Sequence, residues 1–357
     1  MQSSLIVFVI VGLIGFVLSR LLLTFCKTGI SGQNIYKVYK DTSVWLALLI
    51  FGGVAAIFYN APVKYDIVAP VAGYVLPIIF ALATIIYVSY WFANSWLLNT
   101  LILTASAAMA MMLPDNIIFE GILPVWADKI IAAAVVYILV ISAKNINLLA
   151  GTFGIQAVAI TIGAALLALL GGVPIYLGII GAYLAGVWLG FLNLNCFPSK
   201  VYLNGGACMA FAYVLAWIVL QGACELAAPS MFILCMYVVS ESLWALAQRI
   251  VFNVKNNEFS ENTASYSAFE KGLEVTAIGV AVAKINIVNL VLALFQLYSV
   301  NTYSVPLFAF LINLWLLGIL YNVDDDNKTL KEVNREFVQS FKDGLDNIKK
   351  SLKKNKD

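Results

Sequence analysis

This chain predicts an all-α, polytopic membrane protein, on three observations. Of its 357 residues, 62% are hydrophobic and only 11% charged, whereas a soluble domain carries roughly a quarter charged residues. Mean hydropathy is +0.93, and the apolar residues fall into runs long enough to cross roughly 30 Å of hydrocarbon. Basic residues gather in alternate connections between those runs, which is the asymmetry that orients membrane spans.

Eleven spans are predicted, at about 4–23, 44–59, 67–92, 96–113, 129–143, 153–170, 173–192, 207–223, 229–248, 280–299 and 303–321. Several are short or adjoining, so a count of ten stays open. The first lacks a basic leader and a small-residue cleavage site, so it reads as a span and not as a signal peptide. The third holds Pro70 and Pro77, which are expected to kink it and which bundle packing tolerates. Apart from Lys129 at the edge of the fifth, three charges fall inside spans: Arg20 in the first, Glu241 in the ninth and Lys284 in the tenth. An ionisable group in lipid is a functional candidate by default.

With the N-terminus outside, the inner connections carry Lys27, Lys37, Lys40, Lys144, Lys200, Arg249, Lys255 and Lys271, and residues 323–357 add nine more Lys and Arg. The outer connections carry Lys64 and, at a membrane edge, Lys129, beside Asp66, Asp115, Glu120, Asp128 and Glu225. The C-terminus is therefore expected in the cytoplasm. The inner face then presents 24–43, 144–152, 193–206 and 249–279, with a brief fifth connection near 93–95.

Several function classes drop out. Net charge is +2 and no basic patch exists outside the tail, which argues against a nucleic-acid partner. The five cysteines are scattered without a CxxC pair. Histidine is absent, which removes the commonest general base and metal ligand. No internal repeat of the transporter kind stands out.

Four blocks on the inner face carry a resemblance. Lys144-Asn-Ile-Asn-Leu-Leu-Ala-Gly-Thr-Phe-Gly-Ile155 is similar to NAxNLTDGxDGL. The stretch Gly190-Phe-Leu-Asn-Leu-Asn-Cys-Phe-Pro-Ser-Lys-Val-Tyr-Leu-Asn-Gly-Gly206 is similar to GFLxxNxxPAxVFMGDxG. Val239-Ser-Glu-Ser-Leu-Trp-Ala-Leu-Ala-Gln248 is similar to VMETLSVILQ, and Tyr266-Ser-Ala-Phe-Glu-Lys-Gly272 to HHHFExKG with one residue missing. A weaker match, Gly32-Gln-Asn-Ile-Tyr-Lys37, is similar to GQxIR. In this order the blocks resemble the phospho-N-acetylmuramoyl-pentapeptide transferase family, within the polyprenyl-phosphate sugar-1-phosphate transferases. The resemblance covers about residues 20–300.

The family reaction, implied only by this resemblance, transfers a phospho-sugar from a uridine diphosphate carrier to undecaprenyl phosphate. It releases UMP with Mg²⁺ bound and serves cell-envelope precursor synthesis at a bacterial inner membrane. Relatives commonly dimerise, so a homo- or heterodimer is implied as well. The chain departs from the pattern at its acids. The aspartates of the first block fall on Ala150 and Phe153, and that of the second on Gly205. The adjacent-aspartate pair, which would lie near Ser89–Asn94, has no counterpart, and Tyr266, Ser267 and Ala268 stand in the histidine cluster. No Asp or Glu occurs between Lys129 and Cys224. A hard dication needs oxygen ligands, so the expectation is an impaired enzyme with no resident Mg²⁺ and no assigned catalytic or metal-binding residue.

What the resemblance leaves as substrate-binding candidates is Asn147, Gly151, Gly154, Pro198, Lys200, Asn204, Glu241, Gln248, Phe269 and Glu270. Each also has a plain structural reading. Asn147 and Asn204 suit helix caps, Lys200 suits snorkelling to the interface, and Glu241 suits an ion pair with Arg20 or Lys284. Glu258, Glu261, Glu270 and Glu274 suit solvated loop charge. The Gly205-Gly206 pair permits close approach to a phosphate. Two other functions stay open: an active transferase whose ligands have moved to Glu241, Glu258, Glu261 or Glu270, and a transporter or scaffold.

Residues 1–322 thus form a transferase-like membrane domain, and 323–357 a cytoplasmic tail. Thr329-Leu-Lys-Glu332 fits a capping box, and Leu330, Val333, Phe337, Phe341, Leu345, Ile348 and Leu352 share one helical face. The tail ends in Lys349, Lys350, Lys353, Lys354 and Lys356. Such a helix suits the anionic inner leaflet or a partner helix.

Overall fold

A computed structural model describes residues 2–25, 43–60, 69–114, 123–146, 149, 151–196, 199, 201, 203–250, 263–299 and 303–322. The Gly32–Lys37 block, Asn147, Ala150, Pro198, Lys200, Glu258, Glu261 and the tail lie outside these residues. The elements are α1 (Gln2–Phe25), α2 (Ser43–Asn60), α3 (Ala69–Phe92), α4 (Ser95–Met112), α5 (Val125–Ile146), α6 (Thr152–Leu169), α7 (Ile175–Asn195) and α8 (Gly205–Gly222). A π-helical turn (Ala223–Ala227) follows, then α9 (Ala228–Leu234), α10 (Met236–Ile250), α11 (Ala264–Glu270), α12 (Val275–Gln296) and α13 (Ser304–Tyr321). No strand occurs among the described residues.

The chain is an all-α polytopic membrane protein. Among the described residues nine helices are long and apolar enough to cross a bilayer, and ten if the bent pair α9–α10 is one span. The apolar part of α2, Ser43–Ile57, is shorter. Helix α8 is the hub, with every residue from Gly205 to Gly222 buried, packed against α3, α5 and α6. The outer helices turn large apolar side chains outward, among them Leu13, Leu48, Ile130 and Ile287. In water such a surface would aggregate; against acyl chains it is solvated. Exposed Phe92, Trp96, Trp126, Tyr298 and Tyr303 sit at helix ends, where aromatic side chains favour the membrane boundary.

Helix pairing in lipid gains nothing from excluding water, so it relies on close approach of small residues. Helices α1 and α7 meet in this way. A Cβ on Gly186 would lie 1.9 Å from the Gly12 carbonyl oxygen, and one on Gly15 would lie 2.4 Å from the carbonyl oxygen of Tyr183. Arg20 locks the same pair, its Nη1 donating to Asn193 Oδ1 at 2.9 Å. Elsewhere carboxamides join helices: Asn313 Nδ2 on α13 donates to Asn289 Oδ1 on α12 at 2.9 Å, and the reverse bond measures 3.3 Å. Lys129 tucks its ammonium onto the carbonyls of Leu113 and Pro114, just past the last turn of α4, where a cation meets the negative end of the helix.

The predicted ninth span, 229–248, is not straight. It breaks at Cys235, with α9 and α10 inclined at 63°. Pro229 opens α9 after the π-helical turn. At the break, the Leu234 carbonyl accepts from Gln156 Nε2 of α6 at 2.7 Å. A broken helix in hydrocarbon needs such a substitute donor. By contrast, α3 runs on past Pro77.

Gly186→Val is expected to part α1 from α7 and to destabilise the fold by about 1–3 kcal/mol. The thermal midpoint of purified protein reads this out, with Gly52→Ala as the neutral control because nothing lies within 4 Å of a Cβ there.

Candidate functional site

The turns that carry the sequence blocks converge at the end of the bundle predicted to face the cytoplasm, and one side chain joins two of them. Asn195, the last residue of α7, accepts the Gly151 N–H at 3.0 Å and donates through Nδ2 to the Val201 carbonyl at 3.0 Å. The α5–α6 turn is thereby tied to the α7–α8 turn. Gly151 caps α6 in the left-handed region (φ 86°), and a Cβ there would lie 3.1 Å from Cys196 Sγ. Both facts call for glycine. Thr152 closes the same turn by donating to the Leu149 carbonyl at 2.8 Å.

Asn204 is the N-cap of α8, its Oδ1 accepting the Ala207 N–H at 2.8 Å. The capping reading of Asn204 is the one the geometry supports. Gly205 and Gly206 follow under the inner end of α3: a Cβ on Gly205 would lie 3.1 Å from the Tyr90 hydroxyl and 3.3 Å from Lys144 Cγ. A Cβ on Gly206 would lie 2.8 Å from the Tyr90 ring. Asn94, at the end of the region aligned with the absent aspartate pair, caps α4 by accepting the Leu97 N–H at 2.8 Å.

Phe153 and Gly154 point to packing. Phe153 is buried, edge-on to Trp188 with ring centroids 5.5 Å apart. Trp188 in turn meets Phe191 and Phe211 at 5.8 and 5.6 Å. A Cβ on Gly154 would lie 2.6 Å from Leu192 Cδ1. The position that would carry an aspartate in the resembling family is the edge of an aromatic cluster.

A second group lies on α10 and α11, joined to the first by the hydroxyl contact between Ser242 and Ser142 of α5. Glu241 is 1% exposed. Its Oε1 accepts the Ser265 N–H in the first turn of α11 at 3.0 Å, while Thr263 caps the neighbouring Tyr266 N–H. Its Oε2 is buried with no hydrogen-bond partner among the described residues. The expected ion pair is therefore replaced: Arg20 bonds Asn193, Lys284 is exposed on α12, and Glu241 serves as a cap for α11. Tyr237, one turn before it, shares a 2.9 Å hydroxyl contact with Ser265. Gln248 is buried, whereas Phe269 and Glu270 are exposed. Lys271 pins the far end of α11, donating to the Tyr321 carbonyl at 2.6 Å with its ammonium 4.8 Å from that ring centroid.

An apolar cleft of about 300 Å³ opens beside the first group, lined by α2 (Ser43 to Gly52), α3 (Ala83, Thr84, Tyr87) and α8 (Ala207, Ala210, Phe211). Phe51 and Phe80, with centroids 4.6 Å apart, join α2 to α3 at its deep end. The Thr84 hydroxyl is turned back onto the Phe80 carbonyl at 2.8 Å.

No three of His, Cys, Asp and Glu come together among the described residues, and Phe153 and Gly205 offer no oxygen side chain. No protein-family model matches this chain, and no curated protein matches its sequence.

Glu241→Gln is expected to keep α11 in place by preserving an acceptor for Ser265, whereas Glu241→Leu leaves a buried N–H unpaired at a cost of about 1–3 kcal/mol. Limited proteolysis across 250–275 distinguishes the two. Asn195→Leu removes a donor and an acceptor at once; it is expected to lower thermal stability by a similar amount and to raise the reactivity of the Cys196 thiol toward a water-soluble maleimide.

Proposed function

We propose that this chain is a noncatalytic relative of the polyprenyl-phosphate sugar-1-phosphate transferases, resident in a bacterial inner membrane, that holds a lipid phosphate without turning it over. One observation carries the reading: Phe153 stands in the resembling motif at an aspartate position, and it is packed against Trp188. Phosphoryl transfer of this type depends on metal bridging and charge neutralisation. Losing a single preorganised electrostatic group costs roughly 10²–10³ in rate, and here an apolar side chain fills the space.

Retention of a lipid is supported by the cleft between α2, α3 and α8. It runs from Ser43 to Gly52 along α2, about 14 Å at the helical rise, close to the depth of one leaflet. Its inner end adjoins Lys144 and the start of α8, a positive setting suited to phosphate. The resemblance supplies undecaprenyl phosphate as the lipid and a UDP-sugar as the lost co-substrate.

The test uses purified chain in lipid nanodiscs with undecaprenyl phosphate, a UDP-sugar and Mg²⁺. UMP release is expected at background, and undecaprenyl phosphate binding is expected to survive EDTA and to weaken in Ala83→Trp, which fills the cleft. Mg²⁺-dependent UMP release would overturn the proposal.

A further inference from the structure

Lys284 occupies the middle of α12, nine residues after Val275 and twelve before Gln296 in a helix of 22 residues. At the helical rise it lies roughly 13 Å from one end of the helix and 18 Å from the other, farther than a lysine stem reaches toward either end. The side chain points out of the bundle. Val280, Ile287, Val291 and Phe295, 53–62% exposed, lie on the same stripe at steps of four, three, four and four residues. Among the described residues Lys284 meets no carboxylate and no hydrogen-bond acceptor. A full charge in hydrocarbon without a partner is costly, and the rest of the stripe offers it nothing.

We propose that this face of α12 docks a transmembrane helix of a partner protein carrying an Asp or Glu at mid-membrane depth, opposite Lys284. Charge complementarity selects the partner. A second copy of the chain is disfavoured, because a two-fold contact through this stripe brings one Lys284 toward the other. The buried carboxylates Asp128 and Glu241 are 0% and 1% exposed, within their own bundle. An opposite charge on an adjoining helix neutralises the ammonium where water cannot reach it, and the apolar stripe supplies packing on both sides. This inference does not rest on the function proposed above.

The experiment places a benzophenone amino acid at Ile287 or Val291 of the full chain in its native membranes and irradiates. The expected product is one discrete adduct with a polypeptide whose sequence has a span containing Asp or Glu. Lys284→Met and Lys284→Glu are expected to cut adduct yield about tenfold or more, while Lys284→Arg keeps it. Exchanging the partner's acid for Lys is expected to restore the adduct of Lys284→Glu. The proposal is overturned by adducts with lipid alone, with a second copy of the chain, or with a polypeptide lacking an intramembrane acid. It is equally overturned by yield that Lys284→Met leaves unchanged, that Lys284→Arg abolishes, or that the charge exchange fails to restore.

Discussion

Inside hydrocarbon no water is on hand to complete a broken backbone ladder, and this constraint shapes the whole bundle. Most of the chain meets it by remaining helical. At two departures from the helix, a side-chain amide takes the place of water. Gln156 reaches from α6 to the Leu234 carbonyl at the break between α9 and α10. Asn195 serves two turns at once, taking the Gly151 N–H and giving to the Val201 carbonyl. At both places a helix side chain supports the irregular backbone, and the second is where the motif-bearing α5–α6 and α7–α8 turns come together.

At the inner end of the bundle, caps and turns surround an apolar interior. The glycine that turns the chain into α6, the asparagine that caps α8 and the glutamate that caps α11 all contribute to geometry. Aromatic rings occupy the space between them. Phe153, Trp188, Phe191 and Phe211 form one edge-to-face series, and Phe51 extends it toward the cleft at 6.4 Å from Phe211. Offset contacts of this kind add to simple burial, so aromatic packing stabilises the region. Glu241 also serves the fold, since its carboxylate holds the start of α11 with one oxygen committed to Ser265.

Most of the fold was legible in the sequence because membrane helices announce themselves by length and apolarity. The eleven predicted segments fall on the observed helices, and the largest departures lie where hydropathy carries no information. Residues 125–128 and 275–279 belong to α5 and α12 although polar residues and a glycine interrupt their apolar runs. The break at Cys235 was invisible because the side chain that supports it, Gln156, is distant in sequence. The caps were legible in part: Asn204 precedes a helix start, whereas the role of Glu241 depends on α11 returning to α10. Asn195 is not among the candidates that the resemblance leaves, although it matches the asparagine of the resembling motif; that polar residue in an apolar run was the available signal.

The three charges within the predicted spans show how one residue type can have different meanings in lipid. Arg20 and Glu241 are both absorbed by hydrogen bonds that join elements, Arg20 to Asn193 and Glu241 to Ser265. Burial of Glu241 is tolerated because a partner sits within reach; without one, the same burial would oppose folding. Lys284 lies on the opposite side of that balance, turned toward the bilayer on a stripe of valine, isoleucine and phenylalanine. Packing within the chain engages the first two charges. It leaves the third without a role in the isolated bundle, and a charge that the fold neither shields nor uses has its natural explanation in a surface beyond the fold.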